Sequence, residues 1–356
     1  MSKFKNEIKK LRDSGEEVWS ISRLNSFHNC NFEYYNTYIL RDRGLPNVYT
    51  KIGSQLHDYL EGIYLGEKEI NGFKTSFNNA VIEGELLGID FPSESIKNSF
   101  VNDIRHFIDN FNKLDGKFLL EEQILFKIGD HYVQGFIDVL RVYENEGNRE
   151  LEVIDWKSSS KFTGDKLLHA GRQLVMYKLA IEEMTKHKVS EVKWNMMKYL
   201  WVNTRQKNGK IRKKMVNRSK LIKEMREPFT KILKENGYDE LEIDIYLDTA
   251  SKTNTIKGLP DCITDIYSIE DCYLTYEVTD ELVQELHDYV NNTIEMINSK
   301  DKDNSDEWTP IIEIDEKQSF YCNVLCAHRE NCQARLEYVK KNELTKKNKN
   351  GFGGFY

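Results

Sequence analysis

Two apolar stretches decide the fold: Val-Gln-Gly-Phe-Ile-Asp-Val-Leu-Arg-Val at 133–142 and Leu-Glu-Val-Ile-Asp-Trp-Lys at 151–157. Both are rich in residues that favour strands, and the turn-forming Glu-Asn-Glu-Gly-Asn at 144–148 separates them, so they predict a β-hairpin. If the turn is centred between residues 146 and 147, Asp138 lies opposite Asp155, with Cβ atoms roughly 5 Å apart.

This pairing places like charges together, which destabilises a sheet unless something compensates for the repulsion. A bound cation between Asp138 and Asp155 would do so. Strand alternation puts Lys157 on the same face as Asp155, about 6.6 Å along the strand. The sequence therefore predicts two carboxylates and a lysine that converge on one metal site.

Two helical motifs flank the hairpin in the sequence. Gly-Ser-Gln-Leu-His at 53–57 lies within a predicted helix at 52–65, whose apolar residues recur at helical spacing. Gln173 and Tyr177 are four residues apart on a predicted helix at about 166–185, so they share one helical face. Further helices are predicted within 75–114, and strands at 123–128 and 191–202.

The order of these motifs resembles the nuclease core of the PD-(D/E)XK superfamily, in its RecB-like branch. The resemblance implies an α/β fold, with a restriction-endonuclease-like mixed central sheet flanked by helices. It also implies a metal-dependent nuclease that uses Mg²⁺ or Mn²⁺, which carboxylates can hold. The implied metal ligands are His57, Asp138, Asp155 and the backbone carbonyl of Trp156, and the other implied catalytic residues are Lys157, Gln173 and Tyr177.

Each motif alone has an ordinary explanation. An Asp-x-Lys sequence is common, a lone histidine more often packs in a core or lies on the surface, and Gln173 with Tyr177 could be any helix face. The combination of order, spacing and predicted secondary structure favours the nuclease interpretation. Glu122, just before the strand that enters the core, is either a further metal or water ligand or a surface acid.

Three cysteines fall within eleven residues, at Cys322, Cys326 and Cys332, and Cys30 lies far upstream. One cysteine before the core and three after it resemble the iron–sulfur members of the branch, such as AddB-type subunits and CRISPR-associated exonucleases. The resemblance implies a 4Fe–4S cluster held by four thiolates, with zinc or simple buried thiols as alternatives. The three-residue gap after Cys322 departs from the two-residue gap of the family, so His28 or His328 is an alternative ligand. Cys262 and Cys272 are interpreted as structural.

The segment 205–220 is strongly basic, although the chain carries a net charge of −7. Local positive charge of this kind suits phosphate binding, and Lys210, Arg212, Lys213 and Lys214 are the predicted DNA contacts. A solvated loop is the alternative. The predicted organisation is an N-terminal helical segment with Cys30 (1–50), the nuclease core (51–204), a basic and then helical insertion (205–306), a cysteine-rich cap (307–340) and a disordered tail (341–356).

No stretch is long and apolar enough for a membrane span, and the first residues lack a signal-peptide core, so a cytoplasmic protein without membrane contact is expected. The sequence has no G-x-x-x-x-G-K-[ST] phosphate loop, hence no recognisable motor, and a helicase or recombinase partner is plausible. The resulting prediction is a DNA exonuclease acting on single strands or ends in recombination, repair or replication. The alternatives are a structure-specific endonuclease or a spacer-trimming factor, and a non-catalytic DNA-binding subunit of a recombination complex.

Overall fold

A computed structural model describes residues 4–351, except for the side chains of residues 316, 317 and 344–351. Its strands build one mixed sheet. The strands are β1 (Val18–Trp19), β2 (Lys117–Ile128), β3 (His131–Asn145), β4 (Asn148–Lys157), β5 (Glu191–Arg205), β6 (Ile211–Asn217) and β7 (Tyr267–Thr275).

Two long strands organise the sheet. β3 pairs with β2 along one edge, and its other edge pairs first with β1 and then with β4. β5 runs parallel to β4 over its first half and antiparallel to β6 over its second half, while β7 follows the opposite edge of β5. The mixed central sheet flanked by helices confirms the predicted fold class.

Helices cover both faces of the sheet. They are α1 (Lys5–Asp13), α2 (Ile21–Asn29), α3 (Asn31–Tyr34), α4 (Val48–Leu65), α5 (Ile70–Leu86), α6 (Glu94–Asp109), α7 (Asp165–Thr185), α8 (Leu221–Glu235), α9 (Glu240–Thr253), α10 (Asp261–Thr264), α11 (Asp280–Asn298), α12 (Glu316–Phe320) and α13 (Gln333–Gly351). Within residues 4–351, none of them has the length and apolarity needed to cross a membrane.

The helices cover the sheet in separate hydrophobic cores. The largest core joins α7, α2 and α11 to one face of the sheet and includes Trp194 and Trp308. A second core, around α4, α5 and α6, covers part of the opposite face and includes Ile154 and Trp156. The side chains of alternate β4 residues thus enter different cores, as strand geometry requires.

The hairpin has the register that the sequence predicts. Val139 pairs with Ile154, and the ladder continues to Asn145 and Asn148. Glu146 and Gly147 form the two-residue turn, and both have positive φ angles (49° and 80°). Such a turn matches the twist of the two strands and fixes their pairing.

The insertion at 205–306 is less helical than predicted. Its basic start is a strand, β6, and the segment returns to the sheet as β7, which pairs with β5 from Lys193 to Thr204. The rest forms helices α8, α9 and α10 around a third core, and helix α11, which packs in the largest core. β7 shows only short apolar alternation, because part of its surface is exposed, and this weak pattern explains why the sequence did not reveal it.

The cysteine-rich segment packs against residues 30–47. The Leu45 backbone N–H donates to the Ala327 carbonyl (2.8 Å), and the Asn47 side chain donates to the Leu325 carbonyl (3.1 Å). Trp308, only 1% exposed, stacks on Tyr34. The tail predicted at 341–356 falls partly on α13, which continues to residue 351, and residues 352–356 lie outside the described residues.

Candidate active site

Three side chains from different elements form a potential metal site. His57 comes from α4, Glu121 from β2 and Asp138 from β3, and one ligand atom of each lies within 4.8 Å of the other two. His57 Nδ1 is 3.6 Å from Asp138 Oδ1. Burial opposes protonation of His57, but Asp138 and then Asp155 outweigh it and raise the pKa of the imidazole.

Glu121 is the member of this group that sequence reasoning missed. Burial, followed by the negative charge of Asp138, raises the pKa of Glu121 to about 7. Its backbone has a φ of 47°, in the left-handed region that side-chain-bearing residues rarely adopt. Such strain persists only where the surrounding structure imposes it, and it is common at functional sites.

The buried Asp155 and the half-buried Lys157 form an ion pair beside this group. Lys157 Nζ lies 2.7 Å from Asp155 Oδ2. Burial raises the pKa of Asp155 to about 6, because Lys157 offsets only part of the cost and Asp138 adds repulsion. Burial disfavours the charged form of Lys157, but Asp155 and Asp138 together raise its pKa, so the lysine remains protonated.

A chain of hydrogen bonds positions Lys157 from α7. Lys157 Nζ donates to Gln173 Oε1 (3.3 Å), and Gln173 Nε2 donates to the Tyr177 hydroxyl (2.6 Å). The Tyr177 hydroxyl in turn donates to the backbone carbonyl of Phe136. The predicted Gln173 and Tyr177 pair therefore contacts both the lysine and the strand that carries Asp138.

The β3–β4 ladder ends next to the metal group. Its last pair on this side is Val139 with Ile154, and the Trp156 backbone N–H donates to Asp138 Oδ2 (2.7 Å). A side-chain carboxylate thus takes the place of a strand acceptor. The sequence predicts that Asp138, Asp155 and Lys157 meet at one metal site. In the structure they form two adjacent groups: Asp138 lies with His57 and Glu121, while Asp155 is paired with Lys157.

Helix α4 approaches the end of β4 closely. A Cβ atom at Gly53 would lie 3.6 Å from Ser158 Oγ, so a larger side chain there would meet the residue that follows Lys157. The His57 ring packs edge-on against Trp156, with centroids 5.6 Å apart. These contacts explain how the motif at 53–57 delivers its histidine to Asp138.

The four cysteines Cys30, Cys322, Cys326 and Cys332 are all buried. Burial raises the pKa of Cys322 to about 11, and the neighbouring thiols Cys30 and Cys332 add to the shift. Burial, Glu33 and both of those thiols raise the pKa of Cys326 in the same way. The four side chains thus occupy one neighbourhood, although nearly 300 residues of sequence separate Cys30 from the others.

The predicted DNA-binding residues lie on β6 and the turn before it. Lys210, Arg212, Lys213 and Lys214 are exposed. Lys213 pairs with Glu270 (3.2 Å) and Lys214 with Glu224 (3.5 Å), so acids on the protein itself partly neutralise this charge.

Comparison with known proteins identifies a family. The family model of the PD-(D/E)XK nuclease superfamily matches residues 18–333, most of the chain. No curated protein matches the chain.

Glu121→Gln should stabilise the metal-free protein at pH 8. Glu121 has a folded-state pKa of about 7 and an ordinary value of 4.5, so at pH 8 the native state holds a poorly solvated, repelled carboxylate. Because the group is only half buried, we expect a gain of about 1 kcal/mol in the free energy of unfolding. The gain should shrink as the pH falls from 7 towards 4.5, where the native carboxyl is already neutral.

Denaturant titrations of both proteins in the presence of chelator, at pH 8 and again near pH 5, would measure this gain in the free energy of unfolding. Glu146→Gln is the matched control, because Glu146 also has a positive φ but is exposed in the hairpin turn, and its replacement should leave stability unchanged. Equal stability of the Glu121→Gln and wild-type proteins at pH 8 would contradict this account.

Proposed function

The chain belongs to the PD-(D/E)XK nuclease superfamily, and from that premise we propose that it is a metal-dependent DNA exonuclease of the RecB-like, iron–sulfur type. It would act on single-stranded DNA or DNA ends in recombination, repair or replication. The observation that carries the proposal is the cluster of His57, Glu121 and Asp138 beside the Asp155–Lys157 ion pair.

The donor set fits a divalent cation. Glu121 and Asp155 both have raised pKa values because burial and Asp138 disfavour their negative charges, and a cation would reverse this penalty. Oxygen-rich sites suit Mg²⁺ or Mn²⁺. We propose His57, Asp138, Asp155 and the Trp156 carbonyl as ligands, with Glu121 as a further carboxylate. When bound, the ion supplies Lewis-acid stabilisation of the phosphate and lowers the pKa of its water.

The other residues supply positioning and charge. The ammonium group of Lys157 is held by Asp155 and Gln173 in a half-buried position, where a positive charge acts more strongly on a phosphate than it would in open water. It would orient the attacking water or stabilise the negative charge that develops in the transition state. Gln173 and Tyr177 act as positioning residues, because they fix Lys157 and the β3 backbone rather than the substrate.

DNA is the substrate that the superfamily implies, and the exonuclease type rests on the resemblance to the RecB-like branch. We propose that Lys210 and Arg212, with the ion-paired Lys213 and Lys214, contact DNA phosphates. Such contacts would provide affinity that depends on salt and not on sequence. A helicase or recombinase partner would supply DNA ends, and a cytoplasmic location is consistent with these roles.

We also propose that Cys30, Cys322, Cys326 and Cys332 hold a 4Fe–4S cluster, with zinc as the alternative. Four buried thiols from two distant segments suit either centre. The surrounding hydrogen bonds, such as Ala327 N–H to Glu33 Oε1 (3.2 Å), already join these segments. The centre would stabilise this junction and take no part in hydrolysis.

Asp155→Asn and Lys157→Ala should each reduce DNA cleavage about 100- to 1,000-fold, because each removes a charge from the reacting centre. The assay compares end-labelled linear with circular single-stranded DNA in Mg²⁺ or Mn²⁺, with chelator as the blank. Exposed Lys188→Ala is the control and should retain full activity. Cleavage of circular DNA by the wild type would replace the exonuclease with an endonuclease, and undiminished cleavage by Asp155→Asn would refute the assigned site.

Reversing the charges of Lys210 and Arg212 should weaken binding of single-stranded DNA and flatten its salt dependence. The slope of log affinity against log salt should fall by about 0.7 for each lysine or arginine that no longer neutralises a phosphate. Fluorescence anisotropy at several salt concentrations would measure the slope. Reversal of Lys231 and Lys234 on α8 introduces the same charge change elsewhere, and an equal effect of that control would exclude a specific role for β6.

Protein purified without oxygen should be brown and contain about four irons per chain. Cys30→Ser should lose the colour and lower the melting temperature, because a metal centre shared across a long loop adds its binding free energy to folding. Cys262→Ser should do neither, since that thiol lies on α10 and packs against the third core, which contains none of the four. A colourless protein with about one zinc would support the alternative centre, and a Cys30→Ser protein with full iron and stability would refute the shared site.

A further inference from the structure

One face of the sheet has a gap between two hydrophobic cores. Near β1, helix α1 covers the face, where its Ile8 packs with Val18 of β1 and Leu125 of β2. Further along, the core of α4, α5 and α6 covers Ile154 and Trp156. Phe136 of β3 lies at this gap with 46% of its surface exposed, and among the described residues it belongs to none of the hydrophobic cores.

The geometry of β3 places the Phe136 ring on the same face as Asp138. A Cβ atom at Gly135 would contact Met176 and Tyr177 of α7, and Ile137 packs in the core that contains α7. Phe136 alternates with these residues and therefore points to the opposite face, on which helix α4 brings His57 to Asp138. Phe136 and Asp138 are two positions apart on the strand, a distance of about 6.6 Å along the chain.

The backbone beneath the ring is fixed on both sides. Phe136 pairs with Gln123 of β2, and its carbonyl accepts the hydrogen bond from the Tyr177 hydroxyl. The exposed ring is therefore carried by a rigid strand, with little conformational freedom to lose when a ligand covers it.

The surroundings of Phe136 determine which part of a nucleic acid it could bind. Glu121 and Asp138 repel phosphates unless a cation is present, so without one this surface cannot attract a DNA backbone. A phenyl ring can stack on any nucleobase, because every base has a π face. In duplex DNA each base face is covered by its neighbours, whereas an extended single strand can offer one.

We propose that Phe136 is a stacking platform for the nucleobase next to the scissile phosphate, and that it favours single-stranded over duplex DNA. The proposal rests on the proposed nuclease function, because it places the substrate at Asp138. To the nuclease function it adds the residue that binds a nucleobase and a physical reason for preferring single-stranded to duplex DNA.

The test uses single-stranded oligonucleotides with one 2-aminopurine at successive positions from the end, in Ca²⁺ to allow binding without cleavage. Stacking on Phe136 should quench the fluorescence at one position in the wild type. Phe136→Ala should abolish that quenching and weaken binding about 10-fold. Phe136→Trp should restore both, while Phe136→Leu, which keeps an apolar side chain without a π face, should not restore the quenching.

Two further measurements separate stacking from a structural role. Phe136→Ala should raise KM for single-stranded DNA with little change in kcat or in melting temperature. The control is Leu119→Ala, which alters another exposed apolar residue of the sheet and should change neither KM nor quenching. Unchanged quenching in Phe136→Ala, or equal loss in Phe136→Trp, would overturn the platform. A wild type that quenches in Ca²⁺ yet cleaves no DNA in Mg²⁺ or Mn²⁺ would refute the nuclease function while supporting base stacking on Phe136, so the two failures are distinguishable.

Discussion

The site depends on one hydrogen bond, from the Trp156 backbone N–H to the Asp138 carboxylate. In a regular hairpin this N–H would donate to a carbonyl of β3. Because a side chain accepts it, the ladder ends at Val139 and Ile154, and the strands separate where the acids lie. The same bond fixes Asp138 on the backbone of β4. The group around Asp138 and the Asp155–Lys157 ion pair are therefore held at a defined distance.

Side chains of α7 complete the hydrogen bonding where β3 has separated from β4. Buried backbone groups need partners, and the Tyr177 hydroxyl supplies one to the Phe136 carbonyl. Tyr177 then accepts from Gln173, and Gln173 accepts from Lys157. The positions of the lysine and of the two α7 residues are thus tied to one interruption of the sheet.

The free-energy cost of burying charged groups close together is concentrated at this interruption of the sheet. Burial and mutual repulsion raise the pKa values of Glu121 and Asp155, while the neighbouring acids raise the pKa values of His57 and Lys157 and favour their charged forms. Residues arranged in this way destabilise the metal-free protein. The large core around α7 and the junction of residues 30–47 with 321–332 offset that cost at a distance from the chemistry.

The sequence by itself determined the hairpin, its register and the identity of the motifs. Periodicity and turn chemistry act over a few residues, so Asp138, Asp155 and Lys157, and the helical positions of His57, Gln173 and Tyr177, could be placed without coordinates. Only the tertiary structure decided which acid of the pair at 121 and 122 joins the metal group. Successive strand residues point to opposite faces, and the choice depends on how β2 lies against β3 and α4. The place of β7 in the sheet and the exposure of Phe136 were likewise decided by packing, because each depends on elements far away in the sequence that cover, or leave open, a given part of the sheet.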